Sequence, residues 1–96
     1  MAKHYILVRH KITDYAQWKP SFDEHGSVRK EASSKGGYIL RNVDDPNEVM
    51  ILLEVEDLMK VRQLLQSEDL KEAMQRSGVV EQPDVYILEE ADQPPA

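Results

Sequence analysis

The sequence predicts an α+β protein with a ferredoxin-like βαββαβ order, in which a four-stranded antiparallel sheet carries its helices on one face. Segments rich in β-branched and aromatic residues predict the strands, and segments with apolar residues at helical spacing predict the helices. Turn-forming Gly, Pro, Asp and Asn residues separate these segments. The 96 residues suffice for one domain, which we assign to 1–90, and we expect the polar tail 91–96 to be disordered.

The first predicted strand covers residues 4–12, HYILVRHKI. Its side chains alternate between two faces, and His10 shares a face with Ile6 and Val8. We assign this face to the helix-covered side of the sheet, which places His10 beside the predicted core.

The first helix is predicted to follow Asp14, an N-cap residue with Gln17 three positions later, and to end at SSKGG. Gly36 or Gly37 fits the left-handed C-cap of this helix. Pro20 is tolerated in the first helical turn if the residues before it form a capping turn. If the helix instead begins at Asp14, we expect a kink at Pro20.

A hairpin is predicted in the middle of the chain. Strands over 38–43 and 49–55 flank the sequence DDPNE, in which Pro46 presets the turn. The second of these strands begins with VMILL, which is apolar at five consecutive positions, whereas a strand with one face in water alternates. Two helices cannot cover both faces, so we predict a homodimer through the second sheet face.

The last predicted elements are a helical region and a strand. Residues 57–78 are helical with a bend near Ser67, because Ser67 and the acidic residues after it have the features of a new helix N-terminus. Residues 85–90 supply the fourth strand.

Composition excludes several classes of protein. The net charge of −6, with no cluster of basic residues, argues against a nucleic-acid partner. No apolar run approaches the roughly 18 residues of a membrane span, and the chain has no cysteine and no signal-peptide pattern. We therefore expect a cytoplasmic protein without a membrane partner. No metal-ligand spacing or cofactor motif is present, so no metal or cofactor is predicted.

The chain resembles the dimeric α/β-barrel superfamily, and within it the antibiotic-biosynthesis-monooxygenase-like and cyclase-like small proteins, in three segments: YILVRHKITDYAQWKPSFDEH, GGYILRNVDDPNEVMILLEVEDLMKVRQLLQSEDLKEAM and PDVYILEE. The resemblance covers nearly everything but the tail and includes the spacing D-x-x-x-W-x-x-x-F-x-x-H. It implies a dimer whose sheets form a barrel, with a small-molecule pocket between each sheet and its own helices. Members include cofactor-independent oxygenases, cyclases with histidine acid–base pairs, haem-degrading enzymes and proteins without demonstrated activity.

The oxygenase and haem-degrading branches typically combine an asparagine on the sheet with a tryptophan away from the first helix. Here the sole tryptophan, Trp18, lies on the first helix, and the first strand has no asparagine. The combination of asparagine and tryptophan found in those branches is therefore not assigned to residues of this chain.

The candidate site residues of the first helix lie on one side at steps of three and four. In the simpler interpretation, Trp18 and Phe22 are core anchors while His25 and Arg29 form local contacts. In the functional interpretation, His25 accepts a proton at the pocket mouth, the adjacent Gly26 marks a close approach, and His10 completes an acid–base pair. The predicted catalytic residues are His25 and His10, and the predicted ligand-binding residues are Trp18, Phe22, Arg29, Tyr38 and Tyr86.

Two classes of function follow from these features. In the first, each subunit of the homodimer binds a small apolar or aromatic molecule, with cofactor-independent cyclase-like or monooxygenase-like chemistry if it is an enzyme. In the second, the protein is a non-catalytic dimeric binding or accessory module. Haem binding is a weaker third option.

Overall fold

The apolar segments pair into one sheet in a computed structural model, which describes residues 3–80 and 82–96. The elements run in the order β1 His4–Lys11, α1 Tyr15–Glu24, α2 Gly26–Glu31, β2 Ser34–Asn42, β3 Asp45–Val55, α3 Leu58–Leu65, α4 Glu68–Arg76 and β4 Asp84–Glu89. The strand order is β2-β3-β1-β4 and all pairs are antiparallel, so the predicted ferredoxin-like α+β fold is confirmed. Positions 1, 2 and 81 of the predicted domain 1–90 lie outside the described residues, and disorder of 91–96 stays a prediction.

The helices cover the sheet face on which every second residue of β1 and of the second half of β3 is buried. Val8 on β1 lies opposite Ile51 on β3, and both are buried. Trp18 from α1 and Val61 from α3 belong to the same core cluster. Within the described residues, no helix is long and apolar enough to span a bilayer.

The first helical region is interrupted at His25. Asp14 is its N-cap and accepts a hydrogen bond from the Ala16 N–H at 3.2 Å. Pro20 lies well inside α1, which begins directly after Asp14, so of the two alternatives the one that places Pro20 in the first turn does not apply. The interruption follows Pro20 by five residues, where the His25 N–H bonds the Phe22 carbonyl at 3.2 Å in a tighter turn.

A serine, not a glycine, ends this helical region. Ser33 has φ 75°, and its Oγ accepts a hydrogen bond from the Asp57 N–H at 2.8 Å, which holds the turn. The predicted C-cap at Gly36 or Gly37 is therefore wrong, because both belong to β2. Gly37 is required there for a different reason: a Cβ would lie 1.9 Å from the Leu52 carbonyl oxygen.

The hairpin turns earlier than predicted. Its turn is at Val43 and Asp44, and the Asn42 side chain accepts a hydrogen bond from the Asp44 N–H at 2.8 Å. Pro46 lies in β3, where a register shift opposite Arg41 and Asn42 accommodates a residue without an N–H.

The second helical region bends as predicted. Asp57 caps α3 through the N–H groups of Met59 and Lys60, and Ser67 caps α4 through the Leu70 N–H at 3.2 Å. The two helices are separated at the residue that the sequence identified as a new N-terminus.

Candidate functional site

A cavity of about 90 Å³ lies between the inner sheet face and the helices. β1 and β3 supply its floor, and residues of α1, α2, α3 and α4 supply its walls. The structure brings together the following residues that the sequence predicted for a site: His10, Trp18, Phe22, His25 and Arg29.

His10 is the polar residue of the cavity floor. The alternation of β1 turns its side chain inward, and only 3% of the residue is exposed. Neither Nδ1 nor Nε2 has a hydrogen-bond partner among the described residues. Burial lowers the pKa of His10 from 6.5, because the charged imidazolium loses its hydration. His10 is therefore a neutral imidazole at pH 7.

His25 reaches the cavity from the α1–α2 interruption. Its backbone conformation, φ −85° and ψ 7°, ends α1 and precedes α2. Its Nδ1 is buried and has no hydrogen-bond partner within residues 3–80 and 82–96. His10 and His25 thus present imidazole groups to one cavity from a strand and from a helix junction.

Aromatic rings form one wall of the cavity. Trp18 meets the edge of His10 at 5.5 Å between centroids, with planes at 80°. Phe22 stacks on Trp18 at 5.0 Å and 30°. Trp18 is only 3% exposed, so the packing role considered for it holds, while its ring also borders the cavity.

Arg29 closes the wall beside Phe22. Its guanidinium carbon lies 3.5 Å from the centroid of the Phe22 ring, and its Nη1 donates to the Phe22 carbonyl at 2.7 Å. That carbonyl would serve the Gly26 N–H in an uninterrupted helix, so Arg29 stabilises the junction that carries His25. A Cβ at Gly26 would meet Arg29 Nη2 at 3.6 Å, an ordinary contact, so close approach does not require this glycine.

Tyr38 and Tyr86 do not join this group. Tyr38 lies opposite Leu52, and Tyr86 opposite Leu7, on the other face of the sheet. They are 67% and 52% exposed. Their prediction as residues of the same ligand site is therefore corrected: the pairing register turns them away from the helices.

Some lining residues were not predicted for a site. Ser21 lies three residues after Trp18 and lines the cavity, so helical spacing could have identified it. Met74 on α4 also lines the cavity. Ser77 is 5% exposed and its Oγ donates to the Met74 carbonyl at 3.0 Å, and no sequence signal distinguishes it. Within residues 3–80 and 82–96, no group of three or more His, Asp or Glu residues is arranged to hold a metal ion.

No protein-family model matches the chain, and no curated protein is detectably similar to it in sequence. Solved structures share its fold at low identity. SnoaB, a cofactor-independent oxygenase from Streptomyces nogalater, matches with a TM-score of 0.76 and 11% identity over 100% of each chain. An antibiotic biosynthesis monooxygenase-like protein from Bordetella bronchiseptica matches with a TM-score of 0.76 and 13% identity over 95% of this chain and 99% of its own.

A further antibiotic biosynthesis monooxygenase-like protein, from Caulobacter crescentus, matches with a TM-score of 0.72 and 11% identity over 95% of this chain and 92% of its own. The chain therefore has the fold of the antibiotic-biosynthesis-monooxygenase-like proteins. The resemblance inferred from the sequence is confirmed for the fold.

Proposed function

We propose that this protein is a small homodimer in which each subunit binds a small apolar or aromatic molecule in the cavity beside His10. We further propose that it performs cofactor-independent acid–base chemistry there, with His10 and His25 as the catalytic residues. One observation carries the proposal: a neutral, buried imidazole faces an aromatic-lined cavity, and neither of its ring nitrogens has a hydrogen-bond partner among the residues that the structure describes. The cytoplasmic location expected from the sequence stays a prediction.

The free-energy cost of burying the polar His10 imidazole supports a role for His10 in ligand binding. A buried polar atom without a hydrogen bond costs about 1–3 kcal/mol, and an apolar side chain at position 10 would avoid that cost. A bound molecule with a carbonyl or hydroxyl group can hydrogen-bond the imidazole. This part of the core is thus better suited to holding a partly polar ligand than to stability alone.

The two histidines suit different steps of proton transfer. His25, at the helix junction, would take a proton from the carbon next to a substrate carbonyl. His10 is neutral and carries one N–H, so it would donate a hydrogen bond to the oxygen that gains negative charge. The proton would return from His25 to the product, which leaves both histidines unchanged and requires no cofactor.

Oxygenation of the kind named for SnoaB is a less suitable chemistry. SnoaB shares the fold at 11% identity, which does not transfer an activity. No asparagine lines the cavity within the described residues, and Trp18 is fixed in the core between His10 and Phe22. The acid–base proposal uses the groups that this chain has.

A non-catalytic dimeric module with a binding or accessory role is the second candidate, and the small cavity volume favours it, because such a module needs no substrate-sized space between sheet and helices. About 90 Å³ is well below the roughly 300–1,000 Å³ of typical ligand sites. A small ring or a short chain is the largest body that the enclosed part accommodates. The same volume offers no support for haem binding.

The outer sheet face supports the homodimer. Tyr38, Leu40, Tyr86 and Leu88 are between 40% and 67% exposed there, around the half-buried Leu52. Ion pairs border this patch, including Arg9 with Glu48 at 3.0 Å and with Asp84 at 3.1 Å. An apolar centre with a charged rim is the composition of a subunit interface, and a second copy of the sheet would cover it.

Hydrogen exchange at carbon tests the proposed chemistry. We expect the protein to accelerate deuterium uptake next to the carbonyl of cyclopentanone in D2O, observed by proton NMR. His25→Ala should reduce this acceleration by about 100-fold or more, whereas His4→Ala, on β1 but outside the cavity lining, should retain it.

The outcome separates the two candidate functions. If cyclopentanone binds, as observed through Trp18 fluorescence, but exchanges at the background rate, the catalytic proposal is wrong and the binding module remains. If the protein neither binds nor accelerates exchange of any small ketone of this size, the cavity is not a ligand site for such molecules.

A further inference from the structure

Arg29 is a half-buried cation that forms no ion pair with any acidic residue in 3–80 or 82–96. Among the described residues, no carboxylate lies within 4.0 Å of its guanidinium nitrogens. Asp23 is the nearest acidic influence, and its two carboxylate oxygens already accept hydrogen bonds from Lys19 at 2.6 and 2.7 Å. Burial lowers the pKa of Arg29, which reflects the same incomplete compensation of its charge.

The hydrogen bonding of Arg29 leaves most of its donors available. Nη1 donates to the Phe22 carbonyl, and the guanidinium carbon lies over the Phe22 ring. A guanidinium has five N–H groups, and no other hydrogen bond from Arg29 occurs within the described residues. The remaining donors can therefore bind an anionic oxygen pair without displacing the contacts that hold the α1–α2 junction.

Arg29 also stands where the cavity meets an open groove. Arg29 and Leu53 line both the cavity beside His10 and a neighbouring groove of about 580 Å³. The groove includes Lys30 and is bordered by Gly26 and Gly36, whose missing side chains keep it open. A ligand too large for about 90 Å³ would extend into this groove and pass the guanidinium.

The groove beside Arg29 is positively charged, although the chain as a whole carries a negative net charge. The net charge is −6, yet the groove contains Arg29, Lys30 and Lys35 and no acidic lining residue among those described. Lys35 is compensated by Glu56 at 2.7 Å and Glu54 at 3.7 Å. Arg29 and Lys30 therefore carry positive charge without an ion-pair partner among the described residues, at the mouth of the cavity, where it meets the groove.

We propose that the ligand is a small organic acid: its apolar body enters the cavity against Trp18 and Phe22, and its carboxylate binds Arg29 at the mouth. This inference rests on the proposed function, and it adds the charge class of the ligand. Arg29 is then a specificity-determining residue, which selects a carboxylate over a neutral molecule of the same shape.

A matched pair of probes tests the selection. Benzoate and benzamide have nearly the same shape and differ in charge, and Trp18 is the sole tryptophan, so its fluorescence excited at 295 nm reports on the cavity. We expect benzoate to bind about tenfold more tightly than benzamide at low salt, as a charge-assisted hydrogen bond predicts. Raising the salt to 0.5 M should reduce this preference, because a partly exposed ion pair is screened.

Variants connect the preference to Arg29. Arg29→Gln should bind the two probes equally, and Arg29→Lys should keep part of the preference. Lys60→Gln removes the same charge from an exposed residue that lines neither the cavity nor the groove, and should keep all of it. If Arg29→Gln does not fold, the salt dependence in the unmodified protein and the Arg29→Lys variant still decide the question.

Three results would overturn the inference. Equal binding of benzoate and benzamide would contradict the charge selection while leaving the proposed binding cavity intact. A preference for benzoate that persists in Arg29→Gln would place the anion site elsewhere. Failure of both probes to bind would contradict the proposed function itself, and the inference with it.

Discussion

Replacing His10 by leucine should separate the stability of the fold from its use as a site. The substitution His10→Leu removes two buried nitrogens without hydrogen-bond partners in the described part of the chain and places an inward-facing apolar side chain on β1. Relief of the unsatisfied groups should stabilise the protein by about 1–3 kcal/mol. Loss of the edge contact with Trp18 at 5.5 Å should cost about 0.5–1.5 kcal/mol. At pH 7.5 the net effect therefore lies between about 0.5 kcal/mol of destabilisation and about 2.5 kcal/mol of stabilisation.

The pH dependence of the free energy of unfolding gives a more specific expectation. In the unfolded chain the His10 imidazole takes up a proton below pH 6.5, whereas in the native state desolvation lowers its pKa and it stays neutral. Acidification therefore favours unfolding, by up to about 1.4 kcal/mol per pH unit between 6.5 and the lowered native pKa. His10→Leu cannot take up this proton, so its advantage over the unmodified protein should grow from pH 7.5 to 5.5.

The assay is urea unfolding at both pH values, followed by Trp18 fluorescence at one protein concentration, because dimerisation would make stability concentration-dependent. His10→Gln serves as the control: it is polar and does not titrate, so it should show the same change with pH without the gain at pH 7.5. A His10→Leu protein that is less stable at pH 7.5, by an amount that does not change at pH 5.5, would refute the description of His10 as a neutral, unsatisfied core residue.

Two further predictions concern the fold and its partner. Gly37→Ala should lower the free energy of unfolding by about 3 kcal/mol or more, because the new Cβ would lie 1.9 Å from the Leu52 carbonyl oxygen. The control Gly26→Ala should stay within about 1 kcal/mol of the unmodified protein. Equal effects of the two substitutions in thermal unfolding would contradict the β2–β3 packing. Leu52→Lys places a charge in the outer sheet face and should raise the dimer dissociation constant by about 10–100-fold, measured by sedimentation equilibrium. The control Met59→Lys, at a residue 72% exposed on α3, should leave the constant unchanged. If the unmodified protein is a monomer, the proposed dimer is wrong.

The parts of the fold that were predictable depend on local signals. Alternation along β1 placed His10 on the inner face, and the features of a helix N-terminus at Ser67 predicted the bend between α3 and α4. Steps of three and four along the first helix brought Trp18 and His25 to the same side. Each of these conclusions needs only the neighbouring sequence, and the structure agrees with each.

The errors arise where neighbouring signals compete or where pairing decides. Both Pro46 and Asn42 favour a turn, and the Asn42 side chain determines its position by accepting the Asp44 N–H. The register of β2 against β3 then turns Tyr38 away from the helices, and a shift of one residue would have reversed that outcome. The cavity volume depends on packing among helices that are distant in sequence, so no periodicity predicts it.

His10 and His25 should both contact a ligand bound in one cavity, and imidazole ¹⁵N NMR tests this most directly. At pH 7, long-range ¹H–¹⁵N spectra should show His10 as a neutral imidazole in the free protein. Adding benzamide should shift the nitrogen resonances of His10 and His25 together, with one saturation curve. A protonated His10 at pH 7, or unchanged His10 and His25 resonances while benzamide binds, would contradict the account.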